Sequence, residues 1–241
     1  MDKKTVGLSG SFKEKTSPKN FQKNSISGTK FTLAISSAKG GVGKSTFAMN
    51  FALALKSTGS KVGILDADIY GPSLPKMMSI NEKPKSEDGK SLEPIEQYGI
   101  QCMSIGFLVD EETPMIWRGP MVTSAIKTFT QKVLWNNLDF IVIDMPPGSE
   151  RIDNIRSLIT ELAGAVEITI PSMLSQHIVT KSITKNNKMG VPIIGLVENM
   201  STYICPHCEK EGKLFEGEDV QKLTERKEIP YIGKIPFDTR V

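Results

Sequence analysis

The sequence predicts an α/β fold in which a doubly wound, mostly parallel sheet carries helices on both faces. Short apolar runs alternate along the chain with longer segments whose apolar residues recur at helical spacing. The short runs are apolar almost throughout, which is typical of strands covered on both faces, as in a parallel sheet. A glycine-rich stretch joins the first apolar run to the first helical segment.

Seven segments are predicted to be strands and four to be helices. The predicted strands are residues 31–36, 61–66, 100–105, 140–144, 165–170, 193–197 and 231–235. The predicted helices are residues 47–56, 122–134, 152–162 and 176–188. In a fold of this class ligands bind at the carboxyl ends of the strands, so functional residues are expected there.

The length and composition suit one large domain with a tail. The chain has 241 residues, of which 39% are hydrophobic, and can bury a substantial core. Residues 1–29 are rich in Lys, Ser, Thr and Gly and are predicted to form a mobile tail, with the folded domain at residues 30–241.

Charge and cysteine content narrow the partners and the compartment. The net charge of +3 is too small to indicate nucleic-acid or membrane binding on its own. No apolar run approaches the ~18 residues of a membrane span, and the N-terminus lacks the apolar core of a secretory signal. Three cysteines do not make a disulfide framework, so a reducing, cytoplasmic setting is expected. From the charge and the apolar runs, neither a membrane nor a nucleic acid is expected as a partner.

The stretch SAKGGVGKST, residues 37–46, predicts a phosphate-binding loop between a strand and a helix. Its glycines allow successive N–H groups to converge on one oxyanion, and the helix N-terminus adds unpaired donors. Lys44 is expected to reach the β- and γ-phosphates, and the Ser45 hydroxyl to bind Mg²⁺. The predicted nucleotide contacts in this loop are Gly40, Gly41, Val42, Gly43, Lys44, Ser45 and Thr46.

This loop departs from the usual pattern at one position and is a lysine-first variant of it. Ala38 stands where the pattern G-x-x-x-x-G-K-[ST] has its first glycine, and Lys39 precedes the next glycines. The alternative interpretation is a glycine-rich turn flanked by solvated lysines, because short motifs can match by chance.

Two further strand ends carry carboxylates. Asp66 ends the predicted strand 61–66 and Asp68 follows it, so both carboxylates lie at the strand end and can serve Mg²⁺ and water. Asp144 follows four apolar residues, as a Walker-B carboxylate does, and is expected to hold Mg²⁺. The segment PPG at 146–148 suits a loop that senses the γ-phosphate. Either segment alone could be a capped turn, but together with the phosphate loop they predict a magnesium–nucleotide site.

Asn199 follows the predicted strand 193–197 and has two possible roles. Its amide can donate to and accept from the edge of a purine. A residue that caps or turns the chain has the same position, and position alone favours that second role.

The segment CPHC at 205–208 predicts a metal site that one chain cannot complete. Cys205 and Cys208 have the spacing to hold one metal, but a stable site needs four ligands. A symmetric dimer would bring a second pair across its two-fold axis and form a Cys₄ site for [4Fe–4S] or zinc. His207 is more simply an exposed bystander, and Cys102 is expected in the core.

The combination of motifs resembles two nested families. The loop beginning at Lys39, the pair Asp66 and Asp68, and the loop after Asp144 resemble the MinD/ParA class of P-loop NTPases with a deviant Walker motif. Within that class, four stretches resemble the Mrp/ApbC-type iron–sulfur cluster carriers. These stretches are residues 68–73, 117–121, 144–148 and 198–208.

The resemblance implies roles for individual residues. It implies a homodimer that encloses two ATP molecules, with Lys39 reaching toward the partner's nucleotide. Asp68 would position the attacking water. Asn199 would contact adenine, and Pro236 would also bind the nucleotide. Cys205 and Cys208 of both subunits would bind a bridging [4Fe–4S] cluster for transfer to apo iron–sulfur proteins. Slow ATP hydrolysis would act as a conformational switch.

The chain departs from the family at three places. The family has Gly-Thr-Gly-Asp after the Asp144 loop, whereas residues 148–151 read GSER here. Relatives continue into a further helix beyond the position of Val241, which predicts a short member or a shortened chain. The N-terminal tail has no cysteine, so the extra cluster of the eukaryotic scaffold relatives is not expected.

Two alternatives to a cluster carrier arise from the same residues. The first is a MinD/ParA-like positioning switch on a membrane or DNA. The membrane members of that class carry a C-terminal amphipathic helix, and none is expected in the sequence up to Val241. The second is a nucleotide-binding dimer bridged by zinc, which metal analysis would distinguish from a carrier.

Overall fold

The computed structural model describes residues 26–109, 119–148 and 162–238. The strands in these ranges are β1 Thr29–Ser36, β2 Val62–Asp66, β3 Ile95–Gln97, β4 Ile100–Ser104, β5 Leu138–Asp144, β6 Gly164–Thr169, β7 Ile193–Ile204, β8 Glu211–Gly212 and β9 Tyr231–Phe237. The helices are α1 Lys44–Ser57, α2 Leu74–Met77, α3 Gly119–Gln131, α4 Met173–Lys188 and α5 Val220–Lys227.

One mostly parallel sheet organises the described residues. Seven strands lie parallel in the order β4-β2-β5-β1-β6-β7-β9. The short strand β3 is antiparallel to β4, and β8 is antiparallel to the end of β7. The chain adds β2, β4 and β5 on one side of β1 and then β6, β7 and β9 on the other. Ligands of doubly wound folds bind at the carboxyl end of the strand where the chain switches sides, which is β1 here. The predicted fold class is confirmed.

The core explains why the central strands are apolar throughout. Every residue of β2 and of β6 is buried. Consecutive residues of a strand face opposite sides of the sheet, so both faces must be covered. Small residues keep the layers close: a Cβ added at Gly63 would lie 2.6 Å from the Leu138 side chain and 3.0 Å from Trp135.

Several boundaries differ from the sequence-based prediction, chiefly at the start of the domain and at the end of β7. Residues 26–29 were predicted to belong to the tail, but Ile26 is 1% exposed and β1 begins at Thr29. The Leu138 N–H donates to the Gly28 carbonyl (2.7 Å), which extends the β1–β5 ladder into this segment. Strand β7 continues to Ile204 rather than ending at Val197.

Part of the prediction falls outside the described residues. The tail up to residue 25, most of the predicted helix 152–162 and the start of the motif at 117–121 lie there. Across the described ranges, no helix has both the length and the apolar character needed to traverse a bilayer.

Candidate functional site

The glycine-rich loop connects the carboxyl end of β1 to the first turn of α1, as the phosphate-binding interpretation requires. Gly41 and Gly43 have φ of +77° and +82°, a left-handed conformation that glycine adopts without strain. Among the residues that the structure describes, no side chain caps the start of α1, so its first N–H groups stay available to an anion. The Gly148 N–H donates to the Ser37 carbonyl (3.1 Å) and ties the loop after β5 to this one.

A buried ion pair lies directly behind the loop. Lys44 is 7% exposed and its Nζ pairs with Asp144 Oδ1. The same Nζ donates to Ser45 Oγ at 3.3 Å. The structure therefore brings together three of the residues that the sequence predicted for phosphate and Mg²⁺.

Asp66 is opposite Asp144 in the β2–β5 register and is 1% exposed. Its Oδ1 accepts from the Asp68 N–H (3.1 Å). Its Oδ2 accepts from the Ser73 N–H (2.9 Å), the Leu74 N–H (3.1 Å) and the Ser104 hydroxyl (3.2 Å). Because Oδ2 is crowded, Oδ1 has the greater free capacity to accept from a metal-bound water.

Burial, and then the charge of Asp144, raise the pKa of Asp66 to about 6, against the effect of its backbone hydrogen bonds. Two facing carboxylates with one lysine leave this edge of the sheet short of positive charge. A divalent cation bound there would supply that charge, and its oxygen ligands match those Mg²⁺ prefers. Ser104, which ends β4, was missed by sequence reasoning because a serine after an apolar run carries no distinctive signal.

Lys39 and Asp68 occupy more open positions than Lys44 and Asp66. Lys39 is exposed, as are Gly40 and Gly41 beside it. The Lys39 carbonyl accepts a hydrogen bond from the Ser37 hydroxyl (3.0 Å), and this contact within the loop stabilises its conformation. Asp68 is half-buried in the loop between β2 and α2.

A cleft of about 340 Å³ opens beside the loop, between α1 and the strands β7 and β9. Its lining residues are Gly43, Thr46, Phe47, Asn50, Asn199, Met200, Ile235, Pro236, Phe237 and Asp238. A largely apolar cleft with a few polar groups is typical of a small-molecule site. Asn199 and Pro236, both predicted to bind nucleotide, therefore lie in one cleft. Four large apolar side chains line it as well, and the sequence did not single these out as ligand contacts.

Asn199 lies inside β7 and not after the strand, as the sequence had suggested. Its Nδ2 donates to the Val42 carbonyl at 2.8 Å, so the amide secures the glycine-rich loop from the side. A Cβ at Gly43 would meet this Nδ2 at 2.3 Å, which shows how closely the two segments approach. The prediction placed the strand end too early because polar residues interrupt the apolar run after Val197, although the ladder with β9 continues.

The two cysteines of the C-x-x-C segment lie in a hairpin between β7 and β8. The Cys205 N–H donates to the Lys210 carbonyl (3.0 Å), and the Glu209 N–H donates back to the Cys205 carbonyl (2.8 Å). Hydrogen bonds from the backbone N–H of His207 and then of Cys208 lower the pKa of Cys205. A thiol held in this way is disposed to act as a thiolate ligand.

The three cysteines differ sharply in exposure. Cys205 is half-buried and Cys208 is exposed, and both are free thiols. Cys102 is completely buried, and burial raises its pKa to about 12, so its predicted place in the core is correct. Within the described part of the chain, no three His, Cys, Asp or Glu side chains come close enough together to hold a metal ion.

Comparison with known proteins agrees with this geometry. Residues 28–241 match the family described as ParA: NUBPL iron-transfer P-loop NTPase. The chain belongs to this family. The fold is thus that of a family of P-loop NTPases.

Two curated relatives illustrate the similarity. An iron–sulfur protein required for NADH dehydrogenase in mitochondria of Arabidopsis thaliana is 42% identical over 217 residues, which is 90% of this chain and 69% of the relative. An iron–sulfur cluster carrier protein of Escherichia coli is 43% identical over 213 residues, which is 88% of this chain and 58% of the relative. The chain thus spans between half and three quarters of the length of these relatives.

Solved structures resemble the fold as well. A nucleotide-binding protein of Archaeoglobus fulgidus in complex with ADP is 33% identical, with a TM-score of 0.76 over 89% of this chain and 85% of that one. The cell-division ATPase MinD of Pyrococcus furiosus is 19% identical, with a TM-score of 0.61 over 86% of this chain and 84% of its own. The second similarity concerns the fold alone.

Proposed function

We propose that this chain is an ATP-binding and ATP-hydrolysing carrier of iron–sulfur clusters. As a homodimer it would bind a [4Fe–4S] cluster between two cysteine hairpins and pass it to apo iron–sulfur proteins. The observation that carries the proposal is that one strand, β7, has Asn199 in the cleft beside the phosphate loop and leads directly into Cys205. The names of the relatives, with their iron–sulfur roles, support the same conclusion.

The nucleotide half of the proposal rests on the buried charges. ATP phosphates arriving at the loop would draw Lys44 away from Asp144. Asp144 would then be free to join Ser45 and Asp66 in holding Mg²⁺, which neutralises phosphate charge and orients the terminal phosphate for attack. Asp68 would position the attacking water, and Lys39 would reach the nucleotide of the partner subunit. Asn199 and Pro236 would contact the adenine.

The cluster half of the proposal rests on the hairpin. One chain offers two accessible cysteines, Cys205 and Cys208, and a [4Fe–4S] cluster takes four thiolates. A second copy related by a two-fold axis supplies the other pair with the same geometry. Free thiols of this kind persist in a reducing compartment, so we place the carrier in the cytoplasm.

Anaerobic reconstitution with iron and sulfide, followed by iron, sulfide and mass determination, tests the proposal. We expect about four irons per two chains, as one bridging cluster requires. The variant Cys205→Ala should lose the iron and keep its ATP affinity, because the two sites lie at different places along β7. Cys102→Ala, which removes the buried thiol, is the matched control and should retain the iron. A protein that stays free of iron while binding ATP would refute the carrier.

A zinc-bridged dimer is the second candidate, because a C-x-x-C hairpin with N–H groups directed at sulfur suits zinc as well. Metal analysis of the reconstituted protein separates the two. Zinc without iron or sulfide would favour the structural dimer, whereas iron and sulfide in equal amounts would favour the carrier.

A further inference from the structure

Strand β7 is irregular between the nucleotide cleft and the cysteine hairpin. Its ladder with β9 pairs Asn199 with Ile235 and then Tyr203 with Phe237, so four steps on β7 match two on β9. Two extra residues are therefore accommodated in a bulge. Bulges bend a strand and are common beside active sites, where they redirect the remainder of the strand.

Met200 begins this bulge in an unusual conformation. Its φ is +53°, in the left-handed region that costs a side-chain-bearing residue conformational energy. Such positions persist where the surroundings hold them, and they concentrate at ligand sites and switch regions. Here the Ser201 hydroxyl donates to the Ile235 carbonyl (3.2 Å), which fixes the bulge to β9.

The Met200 side chain is also part of the nucleotide cleft. It lines the cleft, and its Cε lies 3.8 Å from the position that a Cβ on Gly43 would occupy. A ligand that enters the cleft must therefore pack against the residue that begins the bulge.

A second contact connects the cleft to the hairpin. Phe237 lines the cleft and its ring lies 6.3 Å from that of Tyr203, centroid to centroid. Tyr203 pairs with Gly212 of β8 and precedes Cys205 by two residues. The wall of the cleft and the base of the hairpin thus share a backbone segment and an aromatic contact.

We propose that Met200 and Phe237 are positioning residues that set the orientation of the cysteine hairpin according to whether nucleotide fills the cleft. Nucleotide would press on Met200 and Phe237, shift the bulge and the Tyr203 ring, and so turn Cys205 and Cys208. This inference rests on the nucleotide half of the proposed function and adds a route by which ATP controls the cluster ligands.

The test measures the alkylation rate of Cys205 and Cys208 by iodoacetamide in cluster-free protein, with and without saturating Mg-ATP. Peptide mass spectrometry distinguishes these thiols from Cys102. We expect nucleotide to change the rate on the order of tenfold, in the usual range for coupled sites. Nucleotide affinity is measured separately by calorimetry, and no iron is needed for either readout.

Substitutions at the bulge separate coupling from simple structural support. Met200→Gly removes the side chain from the cleft and makes the left-handed backbone cost-free, so the nucleotide response should fall to less than about twofold. Met200→Leu keeps an apolar side chain and the conformational cost, and should retain the response. A merely structural role would change the basal rate without changing its dependence on nucleotide.

The aromatic contact is tested in the same way. Tyr203→Leu, which lies outside the cleft lining, should leave nucleotide affinity within about threefold and reduce the response below about twofold. The matched control is Phe31→Leu. Phe31 lies near the start of β1, at the end of that strand away from the phosphate loop, and its exposed ring stacks on Phe140 with 5.6 Å between ring centroids. This variant should retain the full response to nucleotide.

The outcomes distinguish this inference from the proposed function. Nucleotide binding without any change in alkylation, or a response that survives both Met200→Gly and Tyr203→Leu, overturns the inference alone. Absence of nucleotide binding overturns both. A response that needs Met200 in a protein that never takes up iron supports the inference and refutes the cluster carrier.

Discussion

Lys44 is the residue on which the proposed nucleotide site depends most directly. It is buried against Asp144, and Asp66 lies across the register from that carboxylate. Lys44→Ala should weaken Mg-ATP binding by about 100-fold, or about 3 kcal/mol, because it removes the positive charge that faces the phosphates. Calorimetric titration of Mg-ATP provides the measurement.

The control for this substitution is Lys30→Ala. Lys30 forms an exposed ion pair with Asp139 (2.7 Å), a kind of contact that contributes little. Its loss should leave nucleotide affinity unchanged. Equal affinities for the Lys44→Ala variant and the parent chain would show that the loop is not the phosphate site.

Glu167 is a buried carboxyl group that the nucleotide site does not use. Its Oε1 accepts from the Ser182 hydroxyl (2.9 Å) and from Asn186 Nδ2 (2.6 Å). Its Oε2 and the hydroxyl of its cross-strand neighbour Ser36 are both buried, and among the described residues neither makes a hydrogen bond of ordinary geometry. A proton on Oε2 would let it donate to Ser36, and burial raises the pKa of Glu167 from its ordinary value of 4.5.

Glu167→Gln should remove a pH dependence of stability. Above pH 4.5 the unfolded chain releases this proton while the folded chain keeps it, so the free energy of unfolding falls as pH rises toward the folded-state pKa. The fall is at most about 1.4 kcal/mol per pH unit. Urea unfolding between pH 4.5 and 8 provides the measurement. As pH rises, the free energy of unfolding of Glu167→Gln should increase relative to that of the parent chain.

Glu96→Gln is the control for the pH series, because Glu96 is exposed on the edge strand β3. Its stability should follow that of the parent chain at every pH. If the Glu167→Gln curve also ran parallel to the parent curve, Glu167 would be ionised in the folded protein.

At the scale of the element, the phosphate loop and β7 stabilise each other through Asn199. Gly43→Ala should destabilise the nucleotide-free protein more than Gly41→Ala, by about 1–3 kcal/mol. Both glycines have left-handed φ, so alanine at either position carries a similar backbone conformational cost. A Cβ at Gly43 would collide with Asn199 at 2.3 Å, whereas a Cβ at Gly41 meets nothing within 4 Å among the described residues.

Thermal and urea unfolding of the two variants provide the comparison. In an Asn199→Ala background the difference between Gly43→Ala and Gly41→Ala should disappear, because the collision is gone. A difference that persisted there would mean that the left-handed backbone alone, and not the contact with β7, makes Gly43 necessary.

The sequence predicted the elements whose signals are local. The loop around Lys44 was recognisable because glycine spacing and the strand–turn–helix context fit within about twenty residues. Asp66 and Asp144 could be expected together because carboxyl ends of parallel strands share one edge of the sheet.

Features set by tertiary packing could not be predicted in this way. Glu167 lies in an apolar strand, and its partners Ser182 and Asn186 reach it only because α4 packs against β6. Met200 adopts a left-handed φ that nothing in its side chain favours. The true length of β7 depends on its ladder with β9. Residues 198–201 include polar side chains, so the local sequence alone indicates that the strand ends before them.

At the scale of the whole molecule, the proposed carrier is a dimer whose assembly responds to ATP. Lys44 is buried in its own site, whereas Lys39 is exposed on the rim of the same loop. An exposed lysine beside a phosphate loop can neutralise phosphate charge of a neighbouring subunit, and this is the role that we propose for Lys39.

Asp68→Asn should trap the ATP-bound dimer by slowing hydrolysis, since it removes the carboxylate proposed to position the attacking water. Sedimentation velocity of this variant with Mg-ATP should show twice the mass of the nucleotide-free chain. Adding Lys39→Ala should return it to the monomer mass while each chain still binds ATP, because the role proposed for Lys39 is on the partner's nucleotide and not on its own. Adding Lys30→Ala instead should leave the dimer intact. If the Lys39→Ala double variant sedimented as a dimer, the two subunits would have to meet through another surface, and the cysteine hairpins could share a cluster without any control by ATP over assembly.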